Sequence, residues 1–275
     1  MGKNSKRISK RNNHAGKIKE GYCLICNEYG VLSKDHVPPK GSISITKIEQ
    51  KHIGELMGQE AANIKGVRAS NGSTFKTICS TCNGDVLGKC DSEISRVYKY
   101  LTPLISSYFN GPILTPSTLC VDFDAIKYAR GMVGHILSAT SVNECKNELQ
   151  DSPYFTPLRK FVLGDDEAIN NSHDIYYWFY PKRMHLSAKH VGFFNEGNLV
   201  SLSLLSFFPV AFLIAQKGKG VHPQYARKLN LTDKKINLDL SVYNSKHVDF
   251  PFIELQGNRM LAISDGQCIV SYPVK

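Results

Sequence analysis

Two Cys-x-x-Cys pairs, Cys23-Leu24-Ile25-Cys26 and Cys79-Ser80-Thr81-Cys82, constrain this chain more than any other feature. Each pair sets two thiolates at the spacing of a tight knuckle. Two knuckles brought together complete a tetrahedral sulfur site, for which zinc is the natural occupant. Four protein ligands leave no open coordination position, so such an ion is structural and its binding contributes directly to folding. Disulfides are the competing use of cysteine. The charged N-terminus is followed by no apolar leader segment, so the chain is expected in a reducing cytoplasm, where paired cysteines point to metal.

The segment between the knuckles holds Lys34-Asp35-His36-Val37-Pro38-Pro39-Lys40, and Asn83 directly follows the last paired cysteine. Phosphodiester hydrolysis needs a base to deprotonate water and a hard cation to neutralise charge on the phosphate. Imidazole serves as the base near neutral pH, and a carboxylate with an amide carbonyl offers the oxygen ligands that magnesium prefers. Asp35, His36 and Asn83 supply those groups. Taken singly, each has an ordinary alternative: an Asp-His dipeptide arises by chance, and asparagine commonly caps a helix. Lys40 and Lys89 read equally well as solvated side chains and are left out of the site.

Cys23, Cys26, Asp35, His36, Cys79, Cys82 and Asn83 together resemble the HNH endonuclease family. Its ββα-metal, treble-clef-like motif is framed by two such knuckles, with Asp-His on the first strand and Asn beginning the helix. The resemblance implies structural zinc on the four cysteines. It also implies a catalytic magnesium or manganese held by Asp35 and Asn83, with His36 activating the attacking water. The run Cys82-Asn83-Gly84-Asp85-Val86-Leu87-Gly88-Lys89-Cys90-Asp91 looks like a subgroup in which Leu-Gly follows the Cys-Asn pair and an aspartate comes shortly after. Where many members place a middle asparagine, this chain has Thr74; Asn71 and Asn63 are the alternatives for orienting His36. The resemblance covers residues 21–95.

Charge agrees with a polyanionic partner. Lys and Arg total 34 against 24 Asp and Glu, a formal +10 with a pI near 9.1, which suits DNA or RNA. Lys3, Lys6, Arg7, Lys10, Arg11, Lys17 and Lys19 face only Glu20 within residues 1–20. That segment reads as a disordered basic arm, either a phosphate-attracting tether or a solubilising tail. No stretch approaches the roughly 18 apolar residues that span a bilayer. The most apolar run, Leu202 to Ala215, contains Ser206 and Pro209 and reads as a buried strand pair.

The 275 residues therefore divide into an α+β arrangement: the arm, a zinc module over 21–95, a helical connector over 96–150 and a β-rich unit over 151–275. Ile45, Ile48, His52 and Leu56 recur at helical spacing and predict a helical insertion in the module. Ile94, Val97, Tyr98 and Leu101 predict a core-facing helix that ends before Pro103. Asp122 is the expected N-cap of a second helix through Ile126, Ala129, Val133 and Leu137, with Cys145 beyond it. Strands are expected over Ile175–Tyr180, Leu199–Phe207, Ile236–Tyr243, Phe250–Leu255 and Cys268–Tyr272, in a mainly antiparallel unit. Trp178, Phe207 and Phe208 read as core aromatics. The function expected is a nuclease acting on nucleic acid, DNA favoured, of the kind used in restriction or phage defence. The alternative is a noncatalytic zinc-stabilised nucleic-acid-binding module.

Overall fold

The computed structural model describes residues 18–43, 46–57, 66–111, 116–195, 198–219, 221–251, 258–263 and 268–274. The basic arm therefore lies outside the described residues up to residue 17, as do Ile45 and Asn63. The architecture is mixed α+β. Strands β1 (Glu20–Tyr22), β2 (Tyr29–His36) and β5 (Thr74–Cys79) form a small antiparallel sheet in the order β1-β2-β5. The chain then enters a helix whose first turn, Cys82–Leu87, is π-helical and which continues as α1 (Gly88–Asn110).

A larger sheet is built around β7 (His173–Phe179), β8 (His185–Asn195), β9 (Asn198–Phe207), β10 (Val210–Gln216) and β14 (Cys268–Pro273). Strands β3 (Ile48–His52) and β4 (Val67–Ala69), from the segment between the knuckles, join it beside β14. The stretch around Ile48 and His52 is thus extended, not helical: Ile48 to His52 pair with Pro273 to Ile269 across β14, and tertiary pairing overrides the helical spacing. A short 3-10 turn, Ile53–Met57, follows. Residues 21–95 and 151–275 consequently share one sheet.

Both faces of the large sheet are covered, which explains its continuous apolar strands. Ile175, Tyr177 and Phe179 of β7 enter one core with the helices, while Tyr176, Trp178 and Tyr180 enter a second core on the other face. The apolar run around Pro209 is the β9–β10 hairpin, as its composition suggests. Trp178 and Phe207 are buried; Phe208 is half-buried. The segment around Ile236 is extended only over β12 (Lys235–Asp239), which pairs with β6 (Thr118–Asp122), and then turns into a 3-10 helix. Phe250 and Pro251 are not extended strand, and the rest of the strand expected over Phe250–Leu255 lies outside the described residues.

The helices differ from expectation at their ends. α1 runs through Pro103, because the buried stripe Ile94, Val97, Leu101 and Ile105 continues past it and the lost backbone bond falls on the exposed face at Lys99. The helix α2 (Ala125–Ser138) is capped by Asp124, whose side chain accepts from the Lys127 amide; Asp122 ends β6 instead. A third helix, α3 (Phe155–Val162), closes the same core. α2 is buried nearly all round, and two of its glycines permit the close crossing of α1. A Cβ at Gly134 would stand 2.2 Å from Leu87 Cδ2, and one at Gly131 would stand 3.0 Å from Cys90 Cβ. No helix among the described residues is long and apolar enough to cross a membrane.

Candidate metal centre and adjoining polar site

The four paired cysteines converge where β2, β5 and the π-helical turn meet. Their sulfurs all lie within 4.8 Å of one another, and Cys26 Sγ stands 3.8 Å from Cys79 Sγ. A tetrahedron with ~2.3 Å zinc–sulfur bonds has edges of about 3.8 Å. The backbone amides of Cys79 and Cys82 donate to Cys23 Sγ at 3.3 Å and Cys79 Sγ at 3.4 Å, an arrangement that favours thiolates. Crowded together without a cation, the sulfurs resist full ionisation: the Cys82 thiol is pushed up by its hydrogen bond with Cys23, by burial and by the neighbouring sulfurs. A divalent cation removes that penalty. The four cysteines can therefore hold a metal ion such as zinc. Cys90, Cys120, Cys145 and Cys268 lie outside the cluster.

Asp35 and His36 end β2, beside a β-bulge. The pairing of β2 with β5 shifts between Ser33 and Asp35, where the single residue Lys34 stands opposite two residues of β5, Lys76 and Thr77. A bulge breaks the two-residue alternation and re-aims side chains. Here Leu32 and Asp35, three positions apart, both turn inward, while Lys34 faces solvent. The bulge also frees the Lys34 carbonyl from the ladder, and Asn83 occupies it. Asn83 Nδ2 donates to Lys34 O at 2.9 Å and to Ser33 Oγ at 2.8 Å. The first turn of the long helix is thus tied to the strand that carries Asp35 and His36.

His36 is half-buried and faces Thr74 across the sheet. Burial pulls its pKa below the ordinary histidine value, with Asp35 and the backbone of Asn71 opposing that shift.

Asp35 points the other way, into the protein. It is 3% exposed. Its Oδ2 accepts from His135 Nδ1 at 3.0 Å and from Ser138 Oγ at 2.5 Å. His135, wholly buried on α2, gives its second nitrogen to Asp91 Oδ1 at 2.8 Å. Burial works against a charge on His135, but the flanking carboxylates override it and hold its pKa up to about 10, so the ring is an imidazolium at neutral pH. Asp35, the carboxylate assigned to a catalytic cation, therefore has one oxygen engaged and at most the other left for metal.

Sequence reasoning missed His135 and Ser138. Their signal was a histidine and a serine three positions apart in the second half of a helix whose neighbouring residues, Met132, Val133, Gly134, Ile136 and Leu137, are apolar or small, where a polar side chain must find a buried partner. Asp91, noted only as part of a motif, is the second half of that pairing. No family model, no curated protein and no solved structure matches this chain.

Proposed function

We propose that this chain is a metal-dependent endonuclease of the HNH type, hydrolysing phosphodiester bonds of nucleic acid, with DNA the favoured substrate. Restriction or phage defence is the setting such an enzyme suits. The observation that carries this reading is the anchoring of Asn83 to the Lys34 carbonyl beside the four-cysteine cluster. It ties the amide to the strand that ends in Asp35 and His36. In this reading the cluster carries structural zinc and holds the framework rigid.

The half-buried His36, with its pKa lowered by burial, is neutral near pH 7. Its unprotonated ring nitrogen takes the proton from water as the water oxygen bonds to phosphorus and the P–O bond to the leaving sugar oxygen breaks. Asp35, through its remaining oxygen, and Asn83, through its amide oxygen, are the residues that would hold magnesium or manganese. When bound, that cation supplies neutralising charge at the phosphate.

The inward engagement of Asp35 favours a second reading, a noncatalytic zinc module that binds nucleic acid through its basic surface. One experiment separates them. Purified protein is incubated with plasmid, single-stranded DNA and RNA, with magnesium, with manganese and with chelator. Cation-dependent cleavage abolished by His36→Ala supports the nuclease; binding without cleavage under every condition leaves the module.

A further inference from the structure

A cleft of about 520 Å³ opens between α1 and the large sheet, lined by Ile43, Tyr98, Arg183, His185 and Phe208 among others. Its size falls within the roughly 300–1,000 Å³ of ordinary ligand sites. Its position matters more. Ile43 directly follows the turn Lys40–Ser42, which begins four residues beyond His36. That turn packs on α1 so closely that a Cβ at Gly41 would stand 2.3 Å from Ser95 Oγ. The cleft is therefore bordered by the segment that leads away from His36.

Three chemistries meet in the lining. Phe208 is held by edge contacts from Tyr98 at 6.5 Å and Phe179 at 6.4 Å, so its ring is a fixed, half-exposed surface. His185 has a buried Nδ1 without a hydrogen-bond partner among the described residues. Burial alone takes its pKa down to about 4, so its ring is neutral at pH 7. Exposed Arg183 is the one charged residue among the described residues of the lining. A purely aliphatic occupant would leave the imidazole and the guanidinium unused, and a simple anion would leave the aromatic surface unused. A nucleotide uses all three: a flat ring to stack, a base edge to hydrogen-bond and a phosphate to pair with arginine. Another cleft, around Asp174, lacks this character, because Asp174 is already neutralised by Lys228 at 2.7 Å and accepts from the Gly218 amide.

We propose that this cleft takes one nucleotide of the substrate strand, its base stacked on Phe208 and hydrogen-bonded to His185, its phosphate paired with Arg183. The proposal rests on the nucleic-acid reading above and adds a specificity to it. A base reaches the cleft only when it is out of a duplex stack, which costs a few kcal/mol in paired DNA and little in a single strand or a mismatch. Unpaired or bulged sites are then preferred to perfect duplex.

The test uses the full chain carrying His36→Ala, so that nothing is cut, and a single-stranded oligodeoxynucleotide containing 2-aminopurine. Binding is followed by anisotropy, and stacking by the emission of the 2-aminopurine. Phe208→Ala should weaken binding roughly 5- to 150-fold and abolish the emission change, while Phe208→Tyr retains both. Arg183→Ala, on an exposed side chain that folding does not depend on, should also weaken binding and lower its salt dependence. Failure of the oligonucleotide to bind, or binding by Phe208→Ala and Arg183→Ala as tight as the parent's, overturns the proposal. Plasmid cleavage by the wild type is scored separately. Loss of oligonucleotide affinity in both variants of a protein that cleaves nothing keeps the cleft and discards the nuclease; cleavage by a protein whose variants bind normally does the reverse.

Discussion

His135 Nδ1 stands 3.0 Å from Asp35 Oδ2 although the two residues are 100 positions apart, and this contact joins α2 to the strand that carries His36. The ring is an imidazolium between two carboxylates, one nearly fully buried and one, Asp91, partly open to solvent. Breaking one partner of a buried pair typically costs about 3–5 kcal/mol, because the remaining charge is stranded. His135→Leu should therefore lose stability of about that size, measured by urea unfolding at pH 7. His135→Gln, which can still donate to Asp35, should lose less. Equal stability of His135→Leu and wild type would show that the pair is not a structural element.

The four-cysteine cluster gives a prediction that needs no substrate. Purified protein should contain one zinc per chain, and Cys79→Ser should lose it together with much of the cooperative unfolding transition, since structural zinc contributes about 10–16 kcal/mol of apparent binding energy in small knuckles. Thiol labelling gives an independent check. Cys120 is exposed and should react at once, whereas Cys23, Cys26, Cys79 and Cys82 should react only after chelation. Immediate reaction of all four in the metal-loaded protein would remove the metal reading.

Acid should destabilise the protein through its buried histidines. His173 is 5% exposed, with Nε2 buried and lacking a partner among the described residues. Burial lowers its pKa from 6.5 to about 4. Between those values the unfolded chain binds a proton that the folded chain refuses, so stability rises with pH across that window and is lost as pH falls from 6.5 towards 4. The contribution reaches at most about 3 kcal/mol. Unfolding free energies at pH 7 and pH 5 should differ, and His173→Phe should reduce the difference. An unchanged slope in that variant would show that the ring already carries its proton in the fold.

The basic arm is tested by deletion, and the structure sets the cut. Ile18 packs against the main core and its carbonyl accepts from Lys76, so removal should stop at residue 17. If the arm pairs with phosphates, the log–log salt slope of duplex binding should fall by about 0.9 for every phosphate it no longer neutralises. An unchanged slope identifies a solubilising tail.

Local chemistry was legible in the sequence; long-range pairing was not. Cys-x-x-Cys spacing located four ligands that the fold does bring together, and apolar patterning located β7, β9, β10 and β14 of the large sheet but not β8, β3 or β4. The helix expected around Ile48 and His52 failed because those residues pair with a strand more than 200 positions later, and periodicity carries no signal of that partner. Asp35 was placed on the right strand but with the wrong neighbours in view. Its orientation depends on a bulge in β5 opposite Lys34 and on His135, neither visible from the Asp-His dipeptide alone.

The last prediction assigns different losses to three side chains around one scissile phosphate. His36→Ala removes the water-activating base while leaving the cysteine cluster and the Asn83 hydrogen bonds intact, so zinc content and nucleic-acid binding should persist. Cleavage should fall by about 10²- to 10⁴-fold, the usual worth of general-base catalysis. Asn83→Ala loses an oxygen ligand and also the ties to Ser33 and Lys34. Weak cation binding should then be recovered in part at high manganese concentration, whereas the His36→Ala defect should not respond to metal. Asp35→Ala would strand the buried His135 charge and confuse folding with chemistry. Asp35→Asn keeps the shape and an acceptor for His135, and should reduce cleavage with the midpoint of its metal dependence moved to higher magnesium. Cleavage by His36→Ala at the wild-type rate, or a metal dependence identical in all three variants, would show that any nuclease activity lies elsewhere on the molecule.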